Sequence, residues 1–135
     1  MLLGFKRQFA PYVEDGSKTH SIRGIRRTAP KVGETCHCYV DPRQKTMRLL
    51  GRWPIVKVDE IYINSRVLSE EATYIDIRIN GIPLSWDEKN QLAWADGFRP
   101  ELGRQYALAE MMRFWNGRMP FVGHIIHWRY SAVAA

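Results

Sequence analysis

Cysteine is almost missing from this chain: among 135 residues there are two, Cys36 and Cys38, separated by His37. At that separation an unstrained disulfide is out of reach, and a single pair does not make a stapled secreted scaffold. Long apolar runs are missing too. The stretches end after a few residues, far short of the about 20 that a spanning helix needs. The opening Met1–Lys6 sets its apolar residues ahead of its positive charges, the reverse of a signal peptide. These absences lead us to expect a protein of the reducing cytoplasm with no membrane partner. Repeats, low-complexity tracts and linkers are absent as well. With 45% hydrophobic residues the chain can bury a core, so one domain over residues 1–135 is expected.

Lysine is scarce beside arginine. The 20 basic residues divide into 14 Arg and 6 Lys, for a formal net charge of +6. A guanidinium's rigid fork suits phosphates and base edges better than an ammonium does. The charge is also unevenly placed: residues 1–52 hold 11 Lys/Arg against 4 Asp/Glu, whereas residues 53–135 hold 9 against 10. A polyanion partner, RNA above all, fits that asymmetry; solubility alone is the plainer alternative.

Periodicity gives an outline of the elements. Leu2–Phe5 suits a buried strand, and Phe9, Tyr12 and Val13 fall on one face of a helix over 8–15 that Gly16 ends. Residues 19–25 are either strand or extended loop. Thr35–Val40 reads as a strand with Cys36, Cys38 and Val40 on one face. Residues 46–63 make two strands, or one bent strand interrupted by Pro54. Ile75, Ile77 and Ile79 alternate with polar residues before Asn80-Gly81, a strong hairpin signal. Ser85, followed by Asp87 and Glu88, caps a helix over 86–96 that stops at Gly97. A second helix over 100–116 turns Leu102, Tyr106, Ala109, Met112 and Phe114 or Trp115 inward and ends at Asn116-Gly117. Phe121–Trp128 closes the chain as a buried strand. The class expected is α+β, with the strands in a bent barrel.

At Gly16-Ser17-Lys18-Thr19-His20-Ser21-Ile22-Arg23 the chain resembles the G-x-K-x-x-T-x-R signature of the activating-signal-cointegrator homology (ASCH) family. Four further stretches fit in order: the helix over Gln8–Asp15, Val32-Gly33-Glu34, Asp96-Gly97-Phe98, and the aromatic strand Gly123–Trp128. The compact form resembles members encoded by phages and bacteria. The resemblance implies a PUA-like bent β-barrel with flanking helices, and a cleft beside the motif that takes RNA or a nucleobase or nucleoside. Some small members resemble amidohydrolases that deacetylate N4-acetylcytidine with a Lys, a Thr and an acidic residue. Carried over, the catalytic roles fall to Lys18, Ser21 and Asp96, with Arg23 holding an anion or substrate. This chain has Ser21 where the pattern has Thr, and Asp96 where the hydrolytic members have Glu.

The chemistry of these residues is coherent. A desolvated lysine can take the proton of a serine hydroxyl for attack on an amide carbonyl, while an acid orients the amine. In an extended segment Lys18 and Ser21 point to opposite sides, and a turn after Gly16 would bring them to one side. Arg23, Arg26 and Arg27, with His20 and Lys31, form the densest basic cluster, which suits phosphates; a solvated loop around Gly24 and Ala29-Pro30 is the alternative. The resulting functions are an RNA- or modified-nucleobase-binding module, an amidohydrolase of acylated cytidine and, in third place, a ribonuclease. Trp94, Trp115 and Trp128 sit in periodic apolar segments and belong to the core, whereas Trp53 and Trp86, next to turns, suit a cleft wall. No metal or cofactor is expected: a strand turns His37 away from Cys36 and Cys38, and parity separates His124 from His127.

Overall fold

The computed structural model of the protein describes residues 1–115 and 117–132. In chain order the elements are β1 (Leu2–Phe5), α1 (Ala10–Glu14), β2 (His20–Gly24), β3 (Thr35–Val40), β4 (Arg48–Val67), β5 (Thr73–Ile79), β6 (Ile82–Pro83), α2 (Trp86–Ala95), a 3-10 turn (Arg104–Tyr106), α3 (Ala107–Phe114) and β7 (Phe121–Trp128). The expected α+β class holds. Strands pair along β1-β3-β4-β5-β6, while β7 pairs with β2 and β4. This path is open and does not close into the expected barrel. It ends at β6, two residues long and finishing in Pro83, which has no N–H to offer a further strand.

The chain divides into two compact units, one of Met1–Ser21, Arg27–Val58 and Ile126–Ala135, the other of Ile22–Arg26 and Asp59–Ile125. In the first, β1 lies parallel to β3 with Leu3 beside Cys38 and Phe5 beside Val40. β3 is antiparallel to the first part of β4, and its register shifts between Cys38↔Gly51 and Tyr39↔Leu49, so Leu50 is the extra residue of a bulge. Pro54 does not split β4; its carbonyl accepts the Arg129 N–H at 3.0 Å. Strand alternation puts Gly51, Trp53 and Ile55 on the inner face. A Cβ at Gly51 would lie 2.2 Å from the Trp53 ring, so the glycine is what lets that ring lie along the strand. Trp53 is therefore core and no cleft wall: it is 3% exposed, its ring lies 6.3 Å from Trp128 and nearly parallel to it, and its Nε1–H donates to the Ser131 carbonyl at 3.0 Å.

In the second unit, β4 and β5 pair from Ile61↔Ile79 to Val67↔Thr73. The turn forms at Asn80-Gly81, both at positive φ (51° and 81°), as a two-residue hairpin requires. Ser85 and Glu88 make a capping box on α2: the Ser85 Oγ accepts the Glu88 N–H at 3.2 Å and Glu88 Oε1 accepts the Ser85 N–H at 2.9 Å. Asn90 ties α2 to α3, since its Oδ1 accepts the Leu108 N–H at 2.9 Å, one of the orphan donors of a helix that has no cap side chain of its own.

The expected inner face of the last helix is corrected. Gly103 stands at φ 119°, outside any helix, so α3 starts at Ala107 and its phase is set from there. Ala107, Leu108, Met111 and Trp115 are buried, whereas Leu102 and Tyr106 are 78% and 49% exposed. Asn116, expected at the helix end, lies outside the described residues.

The capping box carries a pH signature. Hydrogen bonds from the Ser85 backbone and hydroxyl hold the Glu88 carboxyl below its ordinary value. A carboxyl depressed in the folded state adds stability above its unfolded value of about 4.3, and loses it as pH falls through the folded value. Glu88→Gln, which keeps the hydrogen bond but cannot ionise, is expected to be less stable than the parent at neutral pH and equal to it in acid, read by urea unfolding. Ser85→Ala should lower stability by about 1 kcal/mol.

Candidate functional site

The stretch that carries the Gly-x-Lys motif begins where α1 stops. The Asp15 N–H donates to the Pro11 carbonyl at 2.9 Å, and Gly16 then takes φ 82°, a left-handed turn that favours glycine. A Cβ there would meet the Tyr130 ring at 2.5 Å. That ring covers the turn, and its hydroxyl donates to the Glu14 carbonyl at 3.1 Å. Past the turn the chain is held by the Ser17 N–H on Asp15 Oδ1 at 2.8 Å and the Lys18 N–H on the Tyr12 carbonyl at 2.9 Å.

This turn delivers Lys18 into the interior, where it is 3% exposed. Its ammonium stands 6.0 Å from the Phe5 ring centre and 5.6 Å from that of Phe9, a cation-π arrangement on two faces. Phe5 reaches it by alternation with Leu3 along β1, and Phe9 from the residue that caps α1. His20 and Ser21 follow at 6% and 4% exposure, so three polar side chains are buried within four residues. Lysine in particular is almost never buried to this extent.

The His20 ring lies 5.8 Å from that of His127. His127 was missed in the sequence because strand parity was weighed within its own strand, and no local signal announces a partner more than a hundred residues away. The clue available was the aromatic closing strand; its Trp128 N–H donates to the Thr19 carbonyl at 3.0 Å, beside the motif.

Of the expected phosphate-contacting residues, His20 is inside, Arg27 and Lys31 are exposed in the first unit, and Arg23 and Arg26 are half-buried in the second. Arg23 is packed by backbone: a Cβ at Gly123 would sit 2.1 Å from the Arg23 carbonyl oxygen. Two further arginines of the first 52 residues meet carboxylates. Arg7 meets Asp41 at 2.9 Å, and Arg48 meets Glu14. The Thr46 hydroxyl, and after it the Arg7 guanidinium, hold the Asp41 carboxyl below its ordinary value.

Asp96 belongs to the second unit, where it is the C-cap of α2 at 6% exposure. Gly97 takes φ 112° and the Phe98 N–H returns to the Ala93 carbonyl at 3.1 Å, so the Asp-Gly-Phe step is also a helix stop. Trp94, expected in the core, is half-buried, with the Arg99 and Arg104 guanidiniums 5.8 and 5.9 Å from its ring centre. Trp86 is 59% exposed. Cys36 and Cys38 share the inner face of β3 with their sulfurs 3.6 Å apart, while His37 on the other face accepts the Arg52 Nε–H at 3.2 Å. Among the described residues no group of three or more His, Cys, Asp or Glu side chains is placed to hold a metal, and no helix is long and apolar enough to cross a membrane. Comparison with protein-family models, curated proteins and solved structures found no match to this chain.

The Gly16 turn gives a direct test of how Lys18 is positioned. Gly16→Ala combines a positive φ with a ring clash and is expected to cost about 1–3 kcal/mol in urea unfolding. Gly33→Ala, at φ 93° but with nothing near its Cβ, should cost less. Equal losses at the two positions would show that the Tyr130 contact does not matter.

Proposed function

We propose that the protein is an RNA- or modified-nucleobase-binding module of the ASCH type, with a PUA-like arrangement of strands. The observation that carries the reading is the run of polar residues from Lys18 to Lys31. It starts with buried Lys18, His20 and Ser21, passes half-buried Arg23 and Arg26, and ends at exposed Arg27 and Lys31. Buried ionisable side chains are rare except where charge is used, and the arginines that follow them in the sequence suit phosphates.

An enzymatic reading stands second, as an amidohydrolase of N4-acetylated cytidine. One observation favours it: Lys18, Ser21 and Asp96 are each buried, at 3%, 4% and 6% exposure. Under that reading Lys18 takes the Ser21 proton, the serine oxygen attacks the acetyl carbonyl, the C–N bond breaks as Lys18 returns the proton to the cytidine amine, and water then cleaves the acetyl-serine ester to acetate and free serine. The shorter acid at Asp96 implies slow turnover, since a displacement of about 1 Å costs on the order of a hundredfold.

Two measurements separate the readings. Affinity for a labelled single-stranded RNA should fall with salt, and Arg26→Glu with Arg27→Glu should weaken binding and reduce the log–log slope by about 1.4, or 0.7 for each phosphate released. Affinity that responds to neither salt nor charge reversal removes RNA from the reading. Acetate release from N4-acetylcytidine is expected to be slow in the parent, faster in Asp96→Glu and lost in Lys18→Ala. Binding without product in the parent and in Asp96→Glu alike eliminates the amidohydrolase.

A further inference from the structure

The β4–β5 ladder has two unlike faces. On one, Ile61, Ile63 and Ile77 are at most 2% exposed. On the other, cross-strand neighbours are Tyr62↔Arg78, Asn64↔Asp76 and Arg66↔Tyr74. No aliphatic residue interrupts these three pairs. Tyr74 is 48% exposed, Arg66 and Arg78 are exposed, and Asn64, Ser65, Arg66, Tyr74, Asp76 and Arg78 line a cleft of about 250 Å³.

We infer that this face is a stacking platform for single-stranded RNA. The inference deepens the RNA-binding reading and rests on it, but uses residues outside the Lys18–Lys31 run. Sheet faces that bind single strands offer aromatic rings to the bases and cations to the backbone, and both are interleaved here. Tyr62 and the Arg66–Tyr74 pair stand four residues apart along β4, roughly 13 Å at 3.3 Å per residue, a track for two or three splayed bases. The Tyr74 ring is held in place: the Lys89 ammonium lies 5.0 Å from its centre and donates to the Ile75 carbonyl at 2.5 Å. Between the tyrosines, the Asp76 carboxylate, gripped by the Arg78 Nε at 3.1 Å, offers an acceptor for base edges, and the Asn64 amide, whose oxygen accepts the Ser65 N–H at 3.0 Å, offers its NH2 as donor. The face carries two guanidiniums against one carboxylate, complementary to a phosphodiester chain. Glu70 and Glu71 in the hairpin loop end the track, so the strand runs from the Arg66–Tyr74 pair toward Tyr62.

The test measures binding of the whole chain to a labelled single-stranded decamer and to the matching duplex, with 5-iodouridine crosslinks mapped by mass spectrometry. Tyr74→Leu and Arg66→Gln should each weaken single-strand binding about tenfold, while Tyr74→Phe stays within about twofold of the parent. Crosslinks should fall on Tyr62 or Tyr74. Parental affinity in both Tyr74→Leu and Arg66→Gln, with crosslinks elsewhere, overturns the platform and leaves the Arg26–Arg27 reading standing. Loss in these two with parental affinity in Arg26→Glu/Arg27→Glu supports the platform alone. Tighter binding of the duplex overturns stacking, and absence of any RNA binding by the parent overturns both. If Tyr74→Leu fails to fold, Arg66→Gln and the crosslink map decide.

Discussion

Placing the Lys18 ammonium against Phe5 and Phe9 is the demand that the first unit is built to meet. Taking an ammonium out of water costs several kcal/mol, and each ring returns about 0.5–2 kcal/mol. The two rings therefore offset part of the cost of burying the side chain. The surroundings follow from this. Gly16 supplies the turn that aims the side chain inward, Tyr130 covers the turn, and Phe5 and Phe9 must come from separate segments so that both rings face one cation. Trp53 lies nearly parallel to Trp128 in the same unit.

Local chemistry was legible in the sequence and tertiary placement was not. The Asn80-Gly81 hairpin and the Ser85–Glu88 cap could be read because each depends on φ/ψ preferences and hydrogen bonds within four residues. A single periodicity over 100–116 turns Leu102 and Tyr106 inward, but the backbone resets its phase at Gly103 and both are exposed. Trp53 was misplaced for a related reason: proximity to a turn suggested exposure, but the glycine two residues earlier opens room for the ring to lie flat. The motif marked Lys18 as a residue of interest, yet its burial depends on rings from β1 and from the residue capping α1. His127 has no sequence signal of its own, since its relation to His20 comes from the pairing of β2 with β7.

Charge changes its meaning when the ion pairs are known. The sequence assigns its positive surplus to the first 52 residues as a block. Within that block Arg7 is paired with Asp41 and Arg48 with Glu14, so two of its arginines are held by carboxylates distant in sequence. The balanced remainder of the chain, with nearly equal charges of both signs, nevertheless holds the face where arginines alternate with tyrosines. A net count over a segment therefore misses a sheet face, because pairing across two strands brings together residues that the linear sum keeps apart.

Under the RNA-binding proposal the two cationic features would differ in what they give to a strand. Arginines beside a glycine and an exposed Ile25 would attract phosphates with little regard to sequence or conformation, a contribution that salt removes. Tyrosines fixed on a sheet would favour unpaired bases, since stacked pairs present little free π-face, and a stacking contribution would persist when counterions are plentiful. Affinity that retains a salt-resistant remainder, and that prefers unpaired RNA, is the behaviour that the two proposals together imply.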